Sequence, residues 1–471
     1  MEREDIEKVI NKGYCVGCGI CASVKGSPYK VKMNTNGFYK AELTENSRDN
    51  NIPNSVCPFS SEAKDENEIS EQIFNNIPNL KKNDLLGYYS ETFAGHVSEG
   101  DFRKKGSSGG GVSWLLKELM EKGLIDAVIH VKESNNQKVI FEYGISNSIN
   151  EIKMASKSRY YPVELSKAIS ALREMPKGKK VAVVGIPCFI KGLRNLALVD
   201  DEINKKLKFF IGILCGHLKS KNFASLFAWQ HGITPSRLTN IDFRYKYRSN
   251  DAALYSVKLT YLDKFNNEKE IITPPSSELF GTDWGLGFFK YKSCDYCDDI
   301  FAETADIVFG DAWIPGFRED WRGDNILIIR RSDILDLFMK GINEGKLNLK
   351  KIDQKLVKKS QSGSIRHRTI GLSYRLAIKE RQNEWTPKKR IKPTYEGVDS
   401  HYITTQNYRM WFTDNVPLIF KKAIKKNNFL YFKRKLYFKT LRYGYHIYGI
   451  KALIPLEIKA FYRKYFKDIA N

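Results

Sequence analysis

Short apolar runs separated by helical patterns dominate the middle of the chain and predict an α/β fold. Residues 180–185 and 209–214 are runs of β-branched, aromatic and small residues, which are typical of buried strands. A helical pattern runs from Phe189 to Ala197 between them. Two strands joined by a helical crossover are expected to be parallel neighbours. A further strand is predicted at 306–309, directly before a Gly-Asp pair.

A glycine run precedes a predicted amphipathic helix. The run is Ser107-Ser108-Gly109-Gly110-Gly111, and it is followed by apolar residues on one helical face: Val112, Leu115, Leu116, Leu119 and Met120. Glycines leading into a helix expose backbone N–H groups beside the positive end of its dipole, which suits a phosphate group. An ordinary turn with a glycine N-cap is the alternative. No G-x-G-x-x-G follows a strand, so a Rossmann nicotinamide site is not predicted.

Composition narrows the class of protein. The 471 residues are 42% hydrophobic, which excludes a disordered chain, and their mean hydropathy is −0.43. No apolar run approaches the roughly 20 residues of a membrane-spanning helix, and the acidic N-terminus lacks the pattern of a signal peptide. We therefore expect a cytoplasmic protein whose eight cysteines are thiols or metal ligands rather than disulfides.

Four cysteines near the N-terminus form one set. Cys15, Cys18 and Cys21 are spaced by two residues in a glycine-containing loop, and Cys57 precedes a proline. Three thiolates from one loop plus a remote Cys-Pro is the arrangement of a ferredoxin-type 4Fe-4S site. A zinc site is the alternative, although zinc usually takes paired C-x-x-C units. The set predicts a 4Fe-4S cluster.

The other four cysteines are spread along the chain as Cys188, Cys215, Cys294 and Cys297. Cys188 and Cys215 follow the two predicted parallel strands, so both lie where open α/β sheets build their sites. The C-x-x-C pair of Cys294 and Cys297 could complete the set from a loop. Buried inert thiols plus a zinc-like or redox C-x-x-C are the alternative. This set predicts a second 4Fe-4S cluster.

Six motifs in this order resemble one protein family. They are Ser107-Ser-Gly-Gly-Gly-Val112, Lys157-Ser-Arg-Tyr160, Gly185-Ile-Pro-Cys-Phe-Ile-Lys-Gly-Leu-Arg194, Cys215-Gly-His217, Cys294-Asp-Tyr-Cys297 and Gly310-Asp-Ala-Trp313. Together they are similar to the family of coenzyme F420 hydrogenase/dehydrogenase beta subunits, which includes 7-hydroxymethyl chlorophyll a reductase and relatives found with surface-polysaccharide genes. The resemblance covers about residues 10 to 330.

The resemblance implies an FAD-binding iron–sulfur oxidoreductase core behind a ferredoxin-like module. In such a protein the flavin exchanges a hydride with F420 or another small-molecule substrate. Carried over position by position, it assigns Cys188, Cys215, Cys294 and Cys297 to the core cluster. The residues implied to contact FAD are Ser107, Ser108, Gly109, Gly110, Gly111, Lys157, Ser158, Tyr160, Lys191, Gly192 and Leu193.

Two residues are candidates for a catalytic role. His217 follows the Cys215-Gly216 turn and could donate to a cluster sulfur or protonate a flavin or substrate. Asp311 follows Gly310 at a predicted strand end, which is a favourable position for a site. The alternatives are a structural histidine and a turn-capping aspartate.

The C-terminal region carries much of the positive charge. The chain has 77 Lys and Arg against 54 Asp and Glu, and residues 401–471 hold 15 Lys and Arg against Asp414, Glu457 and Asp468. Their basic, aromatic and amphipathic pattern suits an anionic membrane surface. A tail that packs on the core, an acidic partner such as ferredoxin and, least favoured, nucleic acid are the alternatives.

The sequence thus predicts four segments. Residues 1–90 are a ferredoxin-like 4Fe-4S module, 91–345 an FAD and 4Fe-4S core of mixed α/β class, 346–400 a charged linker, and 401–471 a basic helical tail. The predicted function is an iron–sulfur flavoprotein oxidoreductase that passes electrons from ferredoxin or an F420-type donor through two clusters and FAD to a small substrate, in surface polysaccharide synthesis for example. The alternative is an electron-transfer subunit of a larger redox complex with no substrate of its own. The predicted location is the cytoplasm or the inner face of the membrane.

Overall fold

The computed structural model describes residues 4–44, 53–136 and 138–450, so Glu457 and Asp468 of the tail lie outside the described residues. The strands are β1 Tyr29–Met33, β2 Tyr39–Leu43, β3 Lys81–Asn83, β4 Gly87–Tyr89, β5 Glu91–Val97, β6 Ala127–Glu133, β7 Phe141–Ser146, β8 Val181–Gly185, β9 Leu207–Ile213, β10 Leu238–Tyr245, β11 Ser256–Leu262, β12 Glu268–Ile272, β13 Ile307–Asp311, β14 Asn325–Ile329 and β15 Leu347–Lys351. The helices are α1 Glu4–Asn11, α2 Glu66–Phe74, α3 Phe102–Lys105, α4 Gly111–Glu121, α5 Ile149–Met154, α6 Ser166–Glu174, α7 Pro187–Val199, α8 Asp201–Lys206, α9 Lys221–Gln230, α10 Ser332–Asn343, α11 Gln354–Ser360, α12 Ser362–Arg368, α13 Ile370–Arg381, α14 Ser400–Lys425 and α15 Phe429–Tyr448.

An eight-stranded mixed sheet organises the middle of the chain, in the order β15-β5-β14-β13-β9-β8-β6-β7. Strands β13, β9, β8 and β6 run parallel to their neighbours in this group, and the strands at both ends of the sheet pair antiparallel. Val183 of β8 lies opposite Phe210 of β9, with α7 as the crossover between these strands. The predicted parallel pair is therefore confirmed, as is the mixed α/β class.

Helices cover both faces of this sheet because its central strands are apolar on both sides. Ala182 of β8 packs in one buried cluster with Leu115 of α4 and Phe338 of α10. Its neighbour Val183 points to the opposite cluster, with Ile190 of α7. Alternate residues of a strand face opposite sides of a sheet, so one short strand contributes to both cores.

The predicted helix after the glycine run is present as α4. It begins at Gly111, with Gly110 as N-cap at φ 84°, a left-handed conformation that favours glycine. Gly123, also left-handed at φ 65°, follows its last turn. The predicted strand at 306–309 is β13, which ends at Asp311.

The N-terminal segment packs against the core through α7. Its regular elements are α1, the antiparallel β1–β2 hairpin and α2, which starts with a capping box formed by Asp65 and Glu68. Glu66 of α2 forms a buried ion pair with Lys191 of α7 at 3.2 Å. That this segment is a ferredoxin-like module stays a prediction.

Residues 346–400 are not a linker, and this prediction was wrong. β15 is the edge strand of the large sheet, with Leu349 opposite Gly95 of β5. Leu372 of α13 is fully buried, and the Arg375 side chain is buried beside it. Edge strands commonly carry solvent-facing lysines, so the composition of β15 resembles that of a linker.

The helices α14 and α15 pack on the core along one side of each helix. Phe420 lies 4.9 Å from Phe289 and 5.1 Å from Phe432 between ring centroids, and Leu436 and Tyr443 are also buried. The alternative of a tail packed on the core is confirmed for these faces. None of the helices among the described residues is long and apolar enough to cross a membrane.

Candidate cofactor-binding site

The four N-terminal cysteines line one small cavity of about 20 Å³ with otherwise apolar walls. Cys15 and Cys18 lie in the loop after α1, Cys21 opens a short 3₁₀ turn, and Cys57 follows a second one. Gly17 adopts φ 69°, and a Cβ there would lie 2.3 Å from the Tyr39 carbonyl oxygen. Glycine is therefore required for this loop to pack against β2 and turn its thiols inward.

Burial makes the thiols of Cys18, Cys21 and Cys57 hard to ionise without a cation. It raises the pKa of Cys57 to about 12, and burial together with the neighbouring sulfurs raises the pKa of Cys18 and Cys21 above the usual thiol range. Thiolate is the form that binds metal, so a cation has to offset the cost of ionising them. The donor set fits an iron–sulfur cluster.

The second cysteine set is brought together from three parts of the chain. Cys188 lies in the first turn of α7, Cys215 two residues after β9, and Cys294 and Cys297 in and directly after a 3₁₀ turn at Lys292–Tyr296. Burial and then the sulfurs of Cys297, Cys215 and Cys294 raise the pKa of Cys188 well above its usual value. The same effects bring the pKa of Cys215 to about 12, although Arg368 opposes them.

In the described part of the chain, no group of three or more His, Cys, Asp or Glu side chains is placed to hold a metal ion. A zinc site draws its sulfurs to about 2.3 Å from one ion. In a 4Fe-4S cluster each cysteine binds a different iron, so the cluster holds the sulfurs apart. Zinc and a 4Fe-4S cluster thus place different demands on the spacing of the four sulfurs.

Arg368 completes the second set, and the sequence analysis missed it. Its guanidinium donates to Cys297 Sγ at 2.7 Å, to the Cys215 and Gly216 carbonyl oxygens at 2.7 and 2.8 Å, and to the Asp299 carbonyl. Burial alone would lower the pKa of Arg368, but the sulfurs of Cys297 and Cys215 outweigh it and the net shift is upward. An arginine in a polar helix gives no sequence signal for this role.

The two cysteine sets are neighbours. Cys18 of the first set contributes to the raised pKa of Cys188 in the second. Gly192 of α7 packs against Ile20 of the cysteine loop, where a Cβ would lie 3.0 Å from Ile20 Cγ1. The helix that carries Cys188 therefore also holds the first cysteine loop in place.

A large cavity of about 1490 Å³ opens at the carboxyl ends of the parallel strands, next to the second set. Most of the predicted FAD contacts line it, as do both candidate catalytic residues: Ser107, Ser108, Gly110, Gly111, Lys157, Ser158, Tyr160, His217 and Asp311. Cys215 lines it as well, so the cavity and the second cysteine set share a wall.

Four of the predicted FAD contacts do not line this cavity. Gly109 lies behind the wall, where a Cβ would come within 2.7 Å of the Gly95 carbonyl and the Asn325 side chain. Lys191, Gly192 and Leu193 lie on the part of α7 that faces the N-terminal segment or the core, with Lys191 paired to Glu66. The predicted contact of these four residues with FAD stays a prediction.

The wall near the glycine run is polar and conformationally constrained. The Ser158 amide donates to Ser107 Oγ at 2.6 Å, which joins two segments that were both predicted to contact FAD. Lys157 adopts φ 137°, an uncommon conformation for a side-chain-bearing residue, and its ammonium pairs with Asp242 at 3.0 Å. The Nε atom of Arg159, also in the wall, is buried with no hydrogen-bond partner. An unpartnered donor here fits a phosphate-bearing or otherwise anionic ligand.

His217 lies beside the second cysteine set with one ring nitrogen unpaired. Its ring stacks on Trp284 at 4.3 Å, and its Nε2 is buried without a partner. Burial, with a smaller contribution from Lys219, holds the pKa of His217 well below 6.5, so the imidazole is neutral. A neutral ring can offer Nε2 as donor or acceptor to a bound molecule.

Asp311 is paired with an arginine that the sequence analysis also missed. Arg244 of β10 donates to the Asp311 carboxylate at 3.0 and 3.4 Å and to the Ser107 carbonyl oxygen at 3.3 Å. Burial alone would lower the pKa of Arg244, but Asp311 outweighs it and the net shift is upward. The pair joins the end of β13 to the glycine run across the cavity.

Comparisons with known proteins match this part of the chain. Residues 92–170 match the model for the N-terminal part of the coenzyme F420 hydrogenase/dehydrogenase beta subunit. Residues 178–355 match the model for the C-terminal part of the same protein. The two matches together cover just over half of the chain.

Curated relatives agree with these matches. They include the coenzyme F420-dependent sulfite reductase of Methanocaldococcus jannaschii, 25% identical over 66% of this chain and 44% of that protein. One component of the F(420)H(2) dehydrogenase of Methanosarcina mazei is 25% identical over 45% of this chain and 55% of that protein. The beta subunit of the F420-dependent formate dehydrogenase of M. jannaschii is 24% identical over 46% of this chain and 51% of that protein. The chain spans about half the length of these relatives.

Among solved structures, a chain of the F420-reducing [NiFe] hydrogenase complex of Methanosarcina barkeri aligns with a TM-score of 0.47 at 18% identity, over 67% of this chain and 99% of that one. The resemblance predicted from the sequence motifs is confirmed by the family models. The chain belongs to the family of coenzyme F420 hydrogenase/dehydrogenase beta subunits.

Proposed function

We propose that this protein is an electron-transfer flavoprotein of a larger redox complex, with 4Fe-4S clusters at both cysteine sets and FAD in the large cavity. The observation that carries the proposal is that the two cysteine sets and the large cavity lie next to one another. The first set adjoins the second through Cys18 and Cys188, and Cys215 belongs to both the second set and the cavity wall. Three adjoining redox sites would form a route for electrons.

The iron–sulfur part of the proposal follows from the donor sets. Eight buried or half-buried free thiols fall into two groups of four, and neighbouring sulfurs of the same group contribute to the raised pKa of Cys21 and of Cys188. Bound clusters would supply one-electron transfer, while the protein sets their potentials through charge, hydrogen bonds and exposure. Here the Leu218 amide donates to Cys294 Sγ at 3.3 Å, and Arg368 donates to Cys297 Sγ.

The flavin part rests on the cavity and its unpaired groups. The volume of about 1490 Å³ exceeds the roughly 300–1,000 Å³ of ordinary ligand sites. The first turn of α4 lines the cavity together with Arg159 and Lys157, and its Gly111 amide donates to Asn325 Oδ1 at 3.0 Å. These groups would bind the phosphates, and FAD would supply the exchange between one-electron and hydride chemistry. Neutral His217 would hold a hydrogen bond at the cysteine end.

Similarity to proteins named as parts of F420H2 and formate dehydrogenases supports a role within a complex. A ferredoxin, F420 or another carrier would then serve as the partner. An enzyme with its own small substrate is the second candidate, because the cavity is large enough to suit a dinucleotide with a second reactant. A place in surface-polysaccharide synthesis stays a prediction.

Anaerobic purification tests the cofactors. The holoprotein should carry flavin and about eight irons. Cys18→Ser and Cys294→Ser should each lose about half of the iron, and the iron lost should differ in its EPR signal. Ser293→Ala is the matched control, since Ser293 is buried beside Cys294 with an unpaired hydroxyl. A zinc-loaded, colourless protein, or complete iron loss in both cysteine variants, would contradict the proposal.

Turnover separates the two candidate functions. An electron-transfer component should reduce a soluble dye with its electron donor alone and should co-purify with other redox subunits. An enzyme with its own substrate should show flavin reoxidation that depends on a small organic molecule. Substrate-dependent turnover by the isolated chain would overturn the electron-transfer assignment.

A further inference from the structure

Helix α15 is apolar on two opposite sides, and only one of them is packed. Phe432, Leu436 and Tyr443 face the core and are buried. The opposite side exposes a row of large apolar side chains to solvent. Their exposed fractions are Leu430 52%, Tyr437 55%, Phe438 70%, Tyr445 54% and Tyr448 55%. With 3.6 residues per turn these five project within about a quarter of the helix circumference, so they form one stripe.

Basic residues accompany this stripe. Between Phe429 and Tyr448 the helix has five Lys or Arg and no Asp or Glu. Lys433 and Arg442 project on either side of the stripe, and Arg434 projects from within it; all three are exposed. A helix with an aromatic side flanked by lysine and arginine is the pattern of interfacial helices on anionic lipid.

The mouth of the large cavity lies at the same helix. Lys433, Tyr437, Thr440, Leu441 and Tyr448 all contribute to the cavity wall. Tyr437 and Tyr448 are more than half exposed and also belong to the stripe. The exposed stripe and the cavity wall therefore share these two residues.

A lipid surface fits this stripe better than a protein does. The stripe runs along a single helix without a groove, and lysine is depleted in protein interfaces. Lysine and arginine beside a lipid surface can instead extend to the headgroups while aromatic rings enter the interfacial layer. Acidic redox partners generally form small, polar contacts.

We propose that α15 binds an anionic membrane surface through the stripe of Leu430, Tyr437, Phe438, Tyr445 and Tyr448. The helix lies along the membrane plane, with its buried side held by the core and its basic residues at the headgroups. Bound in this way, the cavity opens toward the lipid. The binding itself does not depend on the cofactors of the proposed function.

Vesicle flotation with the full chain tests the proposal. The protein should float with phosphatidylglycerol-containing vesicles, stay unbound with pure phosphatidylcholine, and dissociate as the salt concentration rises. Arg434→Gln with Arg442→Gln should weaken binding about 30-fold, since each basic residue near an anionic surface contributes about one kcal/mol. The charge-matched control is Lys167→Gln with Lys177→Gln, two exposed lysines on another face, which should bind as the parent does.

Apolar variants test the stripe itself. Phe438→Ser should reduce binding at least tenfold, because an exposed phenylalanine that enters lipid contributes a large apolar area. Phe265→Ser is the matched control, because Phe265 is 71% exposed, close to the 70% of Phe438, and has a basic neighbour whose ammonium lies 4.8 Å from its ring centroid. Iron and flavin are measured in the same preparations, so loss of cofactor and loss of lipid binding are separate results.

Three outcomes would overturn the proposal. One is equal binding to neutral and anionic vesicles. Another is an equal effect of the stripe variants and their controls. The third is a concentration-dependent dimer that Phe438→Ser abolishes while no vesicle binding occurs, because the stripe would then be a contact between two copies of the chain.

Discussion

Replacing Arg368 separates the charge of this residue from its geometry. Its guanidinium donates to one sulfur and three carbonyl oxygens, and the side chain is buried. Arg368→Gln removes the positive charge and most of these hydrogen bonds. Arg368→Lys keeps the charge and loses the planar fork that reaches several acceptors at once.

The expected effect on potential follows from Coulomb's law. Two unit charges 4 Å apart at an effective permittivity of about 20 interact by about 4 kcal/mol. Arg368 Nη1 lies 2.7 Å from Cys297 Sγ, so loss of this charge should disfavour adding an electron by a similar amount. At 59 mV per tenfold change for one electron, the potential of the second cluster should fall by about 100–200 mV.

Stability should change as well. Removing one partner from a buried charged network costs about 3–5 kcal/mol, because the remaining polar groups lose their partner. Arg368→Gln should therefore lower the free energy of unfolding by about this amount. Arg368→Lys should recover part of the stability and most of the potential.

The potential of the second cluster is measured by a redox titration followed by EPR. The EPR signal that is absent from Cys294→Ser identifies this cluster. The first cluster is the internal control, and its potential should stay within error of the parent. Equal shifts in the Lys and Gln variants would refute the argument from charge. An unshifted potential in Arg368→Gln, with the cluster retained, would refute it too.

Three further predictions concern pH, backbone conformation and packing. Burial lowers the pKa of His130 to about 4, so the unfolded state binds more protons between pH 4 and 6.5 and stability falls as pH drops through this range. Between pH 7.5 and pH 5, the free energy of unfolding of His130→Gln should therefore fall by about 2 kcal/mol less than that of the parent, as measured by urea unfolding at the two pH values. An unchanged pH dependence would contradict this prediction. Gly110→Ala should lower the free energy of unfolding by about 2 kcal/mol more than Gly123→Ala does. Both glycines are left-handed, but a Cβ at Gly110 would lie 2.6 Å from the backbone of α3, whereas a Cβ at Gly123 would meet no atom within 4 Å. Equal losses of Tm in the two variants would contradict this steric explanation. Lys191→Met should destabilise the protein by about 3 kcal/mol, because it leaves the buried Glu66 carboxylate without its lysine partner, and the flavin content of the folded fraction should not fall. Adding Glu66→Gln to this variant should restore part of the stability. Loss of flavin without loss of stability would instead favour the predicted FAD contact.

The sequence was informative where local pattern decides structure. The strands around residues 180–185 and 209–214, the helix after Gly111 and the placement of Cys188 and Cys215 follow from periodicity and from the rule for parallel strands. The glycine run was predicted to suit a phosphate group, and its tight packing against the strand that contains Gly95 adds a steric reason for glycine that spacing cannot show.

Features formed by distant residues could not be predicted in this way. Arg244 lies in β10 and Arg368 in α12, elements with no motif, and only the tertiary fold brings them to the site. Lys191 is a different case, since its position in a family-like motif predicts a ligand contact while the fold pairs its ammonium with Glu66. Tertiary contacts decide the role of each of these charged residues.

The position of β5 in the sheet imposes an order on assembly during synthesis. β5 lies between β14 and β15, strands made more than two hundred residues later in the chain. Until those strands leave the ribosome, both edges of β5 lack their partners, and such edges are prone to pair with other chains. The first cysteine set is already complete by residue 57, whereas the second awaits Arg368. With clusters bound as proposed, a newly made chain would receive the first one well before the fold can protect the second.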